Sequence, residues 1–185
     1  RVNAQRSSEL LTLVGVPGIG KSRLVGELFQ SVEDGGVLTY WRQGRSLPYG
    51  QGVSFWALAE MVKAQAGILE TDSDEDVEAK LVSAVEAVVV EDADWVLSHL
   101  RPLVGRGDSP GTREEAFAAW RRLFESMAEE RPLVLVFEDI QWADDGLLDF
   151  IDHLAEWVRD VPMLILCTAR LELLDAEKAL TRQSD

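Results

Sequence analysis

Gly15-Val16-Pro17-Gly18-Ile19-Gly20-Lys21-Ser22 gathers three glycines, one ammonium and one hydroxyl within eight residues. The spacing is G-x-x-x-x-G-K-[ST], and each fixed position has a mechanical role. Glycines lack a Cβ, so the backbone can turn until successive N–H groups point into one concavity that fits a phosphate chain. The Lys21 ammonium is placed to meet the β- and γ-phosphate oxygens, and the Ser22 hydroxyl to ligate Mg²⁺. A helix opening here adds the positive end of its dipole. The residues expected to surround the phosphates are Gly15, Pro17, Gly18, Ile19, Gly20, Lys21, Ser22 and Arg23.

Two further groups complete the chemistry. Residues 133–137 form an apolar run that reads as a strand buried on both faces, and it ends in Glu138-Asp139. Acids at a strand end can bind Mg²⁺ directly or through water, or orient an attacking water. Glu138 and Asp139 are read as sharing metal and water duties, with neither role assigned individually. A second buried run, 163–168, is followed by Ala169 and Arg170. The planar fork of Arg170 suits γ-phosphate oxygens and would distinguish ATP from ADP; a helix cap or a surface ion pair is its competing role. The expected catalytic set is therefore Lys21, Glu138, Asp139 and Arg170, and the expected metal set Ser22, Glu138 and Asp139.

These groups need a scaffold that brings three loops together. The phosphate loop requires a strand before it and a helix after it. Residues 10–14 supply an apolar run of strand length. Leu24, Leu28 and Phe29 then share one helical face, with Val25 beside them. After a turn at Asp34-Gly35-Gly36, residues 37–41 read as a second strand and 42–54 as a glycine-containing loop. Helices are expected over 55–66, from a cap at Ser73 or Asp74 to about 90, over 92–100, and over 145–158. Another starts at Thr112, where Thr112 and Glu115 match a capping box, and turns Phe117, Trp120, Leu123, Phe124 and Met127 inward. Residues 70–76 and 102–111 read as an exposed loop and a linker.

Buried strands alternating with helices imply an α/β fold in three layers, α/β/α, with a mostly parallel sheet and right-handed crossovers. Such sheets bind ligands at the carboxyl ends of their strands, which is where Gly15, Glu138 and Thr168 all begin their loops. Residues 1–185 are read as one nucleotide-binding domain with a helical insertion at about 55–130.

Composition narrows the partners. With 33 acidic against 18 basic residues, the net charge of −15 argues against a general nucleic-acid surface and against docking on an anionic membrane. The one cysteine, Cys167, sits in an apolar run, where a small buried hydrophobe is the expected role. No apolar stretch reaches membrane-spanning length and no signal-peptide layout is present, so a cytoplasmic location is expected. The isolated His99 and His153 have no metal-ligand spacing.

Three stretches together resemble a known family: Val14-Gly15-Val16-Pro17-Gly18-Ile19-Gly20-Lys21-Ser22-Arg23-Leu24, Phe137-Glu138-Asp139-Ile140-Gln141-Trp142-Ala143-Asp144, and Leu166-Cys167-Thr168-Ala169-Arg170. They are similar to the AAA-type ATPase modules of the STAND class (signal-transduction ATPases with numerous domains). Gly44-Arg45-Ser46-Leu47-Pro48-Tyr49-Gly50 and Phe55-Trp56-Ala57-Leu58-Ala59-Glu60 also resemble that group. The nearest likeness is to modules attached to bacterial class III adenylate cyclases and to LuxR-type transcriptional regulators. The resemblance implies a P-loop NTPase fold truncated at its C-terminal end, lacking the last strand, the helical lid and any winged-helix part. It implies ATP and Mg²⁺ as ligands, and slow hydrolysis as a signalling switch. It further implies a covalently linked effector domain and a nucleotide-dependent homo-oligomer. Glu138 and Asp139 would be the Walker B pair and Arg170 a sensor; Glu-Asp departs from the usual Asp-Asp or Asp-Glu. A non-hydrolysing nucleotide-binding scaffold is the competing function. A GTPase or small-molecule kinase is a further alternative, although no guanine-reading Asn/Thr-Lys-x-Asp occurs.

Overall fold

The computed structural model describes residues 7–48 and 54–171. Four strands, β1 (Ser8–Val14), β2 (Tyr40–Arg45), β3 (Leu133–Glu138) and β4 (Met163–Ala169), all pair in parallel in the order β1-β4-β3-β2. Helix α1 (Lys21–Asp34) connects β1 to β2. Helices α2 (Trp56–Ala66), α3 (Asp74–Glu86), α4 (Ala93–Leu100) and α5 (Arg113–Glu130) lie between β2 and β3, and α6 (Asp145–Trp157) between β3 and β4.

That strand order decides where the helices go. The chain crosses the sheet outward once, from β1 to β2, and then returns through β3 to β4. Right-handed crossovers in opposite directions must use opposite faces. The packing follows: Val25 of α1 meets Val134, Val136 and Leu166 on one face. Leu133, Leu135, Phe137, Ile165 and Cys167 on the other face join one continuous core with the helices that follow β2. Alternate residues of β3 therefore serve opposite layers, and every residue of it is buried. This double burial is why 133–137 carries no polar alternation.

Caps set the helix starts. The Thr112 hydroxyl accepts from Glu115 N at 3.3 Å while Glu115 accepts from Thr112 N at 2.7 Å, so α5 opens on the expected box. Its Phe117, Trp120, Leu123, Phe124 and Met127 are all buried. Ser73, not Asp74, caps α3, and that helix stops at Glu86 instead of near 90. Gly67 ends α2 in the left-handed conformation, φ 65°.

Two further expectations are corrected. The second strand is Tyr40–Arg45, not 37–41, and it takes its last four residues from the stretch read as a loop. Pairing starts at Tyr40, whose N–H donates to Pro132 O at 2.8 Å, while Val37 and Leu38 stay exposed without a ladder partner. Its polar side chains are satisfied from elsewhere: Arg42 by Gln65, and Gln43 and Arg45 by Glu138. In α1, Leu24 is exposed and Val25 is buried, with Leu28 and Phe29 half-buried. The inward face is thus rotated by one residue from the expected one.

Gly44 lets α2 lie against β2. A Cβ there would run into the backbone carbonyl of Ala57. We expect Gly44→Ala to cost about 3 kcal/mol of stability in urea unfolding, because backbone cannot yield as a side chain would. Gly26, within α1, has open space around it, and Gly26→Ala should instead add up to about 1 kcal/mol.

Candidate nucleotide site

The register brings the ends of β1, β4 and β3 to one edge of the sheet, Val14 opposite Ala169 and Phe137 opposite Cys167. Two strand spacings, about 10 Å, separate the start of the Gly15 loop from the Glu138 end. Gly15 N–H donates to Ala169 O at 3.2 Å, so the loop is tied to β4 as it leaves the sheet. Gly18 and Gly20 have φ of 80° and 105°, in the region that side chains disfavour. Ile19 N–H closes the turn on Val16 O at 3.3 Å.

Lys21 folds back over this turn. Its Nζ donates to Gly15 O at 2.7 Å and Val16 O at 3.2 Å. Gly20 is the N-cap of α1, with no side-chain cap and no acid in the first turn. The opening N–H groups of that helix are therefore left for an external acceptor. Helices α3, α5 and α6 instead have theirs capped by Ser73, Thr112 and Asp144. Pro17, Gly18, Ile19 and Ser22 are exposed around the loop. Arg23 is exposed too, and its side chain pairs along the helix with Glu27 at 2.9 Å, so only its backbone faces this task.

At the end of β3 the two acids are not equivalent. Glu138 is buried, and its Oε2 accepts from Gln43 Nε2 and from the Arg45 guanidinium, both at 2.9 Å. Asp139 leaves the sheet in the left-handed conformation, φ 56°, which a short polar side chain tolerates. Its N–H donates to Thr168 Oγ1 at 3.0 Å. Its carboxylate accepts from Gln141 Nε2 at 3.3 Å and stands 3.7 Å from Arg45 Nε, more open to solvent than that of Glu138.

Gln141 also accepts from Arg170 N at 3.1 Å, so one amide braces the turn after β3 against the end of β4. The Arg170 guanidinium lies 5.6 Å from the centre of the Trp142 ring, in cation–π contact. Asp144 caps α6 by accepting from Leu147 N at 2.8 Å. Each polar position of Glu138-Asp139-Ile140-Gln141-Trp142-Ala143-Asp144 thus has a physical task, and Ile140 packs inward.

Sequence reasoning did not find Arg45, Gln43 or the bracing roles of Thr168 and Gln141. The available signal was the alternation Gln43-x-Arg45, which puts two polar groups on one face of a strand end. Among the described residues, no three His, Cys, Asp or Glu side chains gather into a protein-only metal site. A hydroxyl and two carboxylates are hard oxygen donors that suit Mg²⁺, which keeps waters and phosphate oxygens for its other positions.

An all-parallel α/β/α sheet with a glycine loop after β1 and acids after β3 is the arrangement of a P-loop NTPase. The AAA ATPase domain family matches residues 1–166, and the chain belongs to it. No curated protein matches the chain. Family membership supports nucleotide binding and leaves ATP hydrolysis open to the chain.

Cys167 faces the core and takes no part in the site. Burial, with Asp152 adding to it, pushes its thiol up to about 12. Native protein should therefore resist alkylation by iodoacetamide at pH 8 for hours, whereas urea-unfolded chain should be alkylated within minutes. Mass spectrometry reads the difference, and rapid native labelling would contradict the burial.

Proposed function

We propose that this chain is an ATP-binding regulatory module of the STAND class, using Mg²⁺-dependent and slow ATP hydrolysis as a switch inside a larger multidomain protein. The observation that carries this reading is the shared anchor: the phosphate loop and the acid turn are both tied to the last residues of β4. A change at one is thereby felt at the other. Lys21 and Ser22 meet phosphates and cation from one side; Glu138 and Asp139 meet the cation and a water from the other. Mg²⁺, when bound, neutralises phosphate charge and lowers the cost of the transition state.

The chain's own groups support the reading of slow turnover. Asp139 is the open acid, fit to hold a water, but its orientation depends on Gln141. Glu138 is already engaged by Arg45 and Gln43. Arg170, as sensor, would have to leave Trp142 to reach a phosphate. The engagement of Glu138 also favours a second reading, a scaffold that binds nucleotide without hydrolysing it. A GTPase or small-molecule kinase has no feature in its favour.

A cytoplasmic setting, a linked effector domain such as a cyclase or DNA-binding domain, and a nucleotide-dependent homo-oligomer belong to this proposal. The net charge of −15 speaks against nucleic-acid binding by this chain. Among the described residues no helix is long and apolar enough to cross a membrane.

Lys21→Ala should weaken ATP binding at least about a hundredfold, read with a fluorescent ATP analogue. Binding equal to wild type would refute the site. The double change Glu138→Ala and Asp139→Ala should stop phosphate release while leaving measurable binding. Unaltered release in that variant would remove the acids from the reaction, and absent release in wild type would select the scaffold.

A further inference from the structure

Arg45 belongs to neither the phosphate loop nor the acid turn, yet it touches both acids. Its guanidinium is 2.9 Å from Glu138 Oε2 and 3.7 Å from Asp139 Oδ2. Among the described residues it is the one cation within 4 Å of either carboxylate. Gln43 adds a hydrogen bond to Glu138 but no charge.

We propose that Arg45 is a resident counter-ion for the Glu138–Asp139 pair, which an incoming divalent cation must displace. The inference rests on the reading of these acids as cation ligands. Glu138 is only 5% exposed, and a carboxylate so deep in the protein needs a compensating positive charge. In the state described here Arg45 supplies it. A divalent ion bound to the same oxygens supplies it instead, and the two cations then repel at close range.

The construction of Arg45 suits an exchangeable ion. Its side chain is 54% exposed, so it can swing into solvent without opening the core. Its backbone stays fixed meanwhile: Arg45 N–H donates to Glu60 Oε2 at 2.9 Å, and Ser46 N–H to Glu138 O at 3.0 Å. Gly44, pressed against Ala57, holds the strand end in place. Arg42, an odd number of residues back and so on the other face of the strand, is built the other way. Its guanidinium is tied to Gln65 through two nitrogens and to Trp41 O through a third, with no acid to exchange. The strand thus carries one arginine locked by neutral partners and one whose guanidinium is held by carboxylates, and only the second faces the site.

The consequence is a threshold for the cation. Acids masked by Arg45 bind Mg²⁺ more weakly than bare acids would, and occupancy then depends on the cation and phosphates arriving together. Removing the arginine charge lowers the threshold.

The test is a Mn²⁺ titration of the whole chain without nucleotide, following free Mn²⁺ by electron paramagnetic resonance. Arg45→Gln, which keeps an amide donor for Glu138, should bind Mn²⁺ on the order of tenfold more tightly than wild type. Arg45→Lys, which keeps the charge, should stay close to wild type. Adding Glu138→Gln to Arg45→Gln should erase the gain. Equal or weaker binding by Arg45→Gln overturns the proposal, as does a gain that survives in the double variant. Should Arg45→Gln fail to fold, the wild-type chain decides through the Arg45 Nε–H resonance. That signal should shift on saturation with Mg²⁺, and an unmoved signal overturns the proposal. No nucleotide enters either measurement, so a chain that cannot bind ATP would defeat the proposed function without touching the role of Arg45.

Discussion

The end of β4 holds the molecule's working edge together. Three consecutive residues there each make a bond to a neighbouring turn: Thr168 Oγ1 accepts from Asp139 N, Ala169 O accepts from Gly15 N, and Arg170 N donates to Gln141. Each is worth about 1 kcal/mol by itself. Their value is positional, because β4 lies between β1 and β3 and pairs with both. Its own position is fixed by burial on both faces, since a slip of one residue would turn its side chains into the wrong layer. The core therefore sets the register, the register sets the strand ends, and the strand ends set the distance between glycine loop and acids.

Legibility in the sequence followed the range of the interactions. The loop after β1, the double-buried runs of β3 and β4 and the α5 capping box are local patterns, and they read correctly. The alternation of strands and helices led correctly to a parallel sheet, but its order, β1-β4-β3-β2, was not read from the sequence. β2 did not read correctly because its pattern is completed by partners far along the chain: Arg42 by Gln65, Gln43 and Arg45 by Glu138. An arginine-glutamine strand looks like a loop until those partners are known. The turn of α1 that misled was equally non-local: which of Leu24 and Val25 faces inward depends on where Val134 and Val136 stand. Trp142 illustrates the remainder, since nothing local says that Arg170 would lie over it.

The candidate site is self-complementary in this state. Lys21 sits on carbonyls of its own loop, Arg45 on the two acids, and Arg170 on an indole. In a chain of net charge −15, three cations placed at one sheet edge would otherwise stand as an unbalanced cluster. Internal partners keep them in place without a ligand, and they do so with groups that phosphate and a divalent cation can imitate: carbonyl oxygens and carboxylates for the arginine and lysine, a positive charge for the acids.

Exchange of this kind bears on the proposed switch. A ligand moves an equilibrium only by the difference in its affinity for the two states. Contacts that replace equivalent internal contacts contribute little net binding, but they change which elements are connected. When Lys21 leaves Gly15 O and Val16 O, the loop loses its internal strap. When Arg45 leaves Glu138, β2 loses its charged link to the acid and keeps the Gln43 hydrogen bond and its backbone pairing with β3. Such an exchange would leave the β2 backbone anchored to α2, through Arg45 N–H on Glu60 Oε2 and through Gly44 against Ala57. Between β2 and β3 the chain carries α2 through α5, so that strand is where a change at the site would pass into the helical layer.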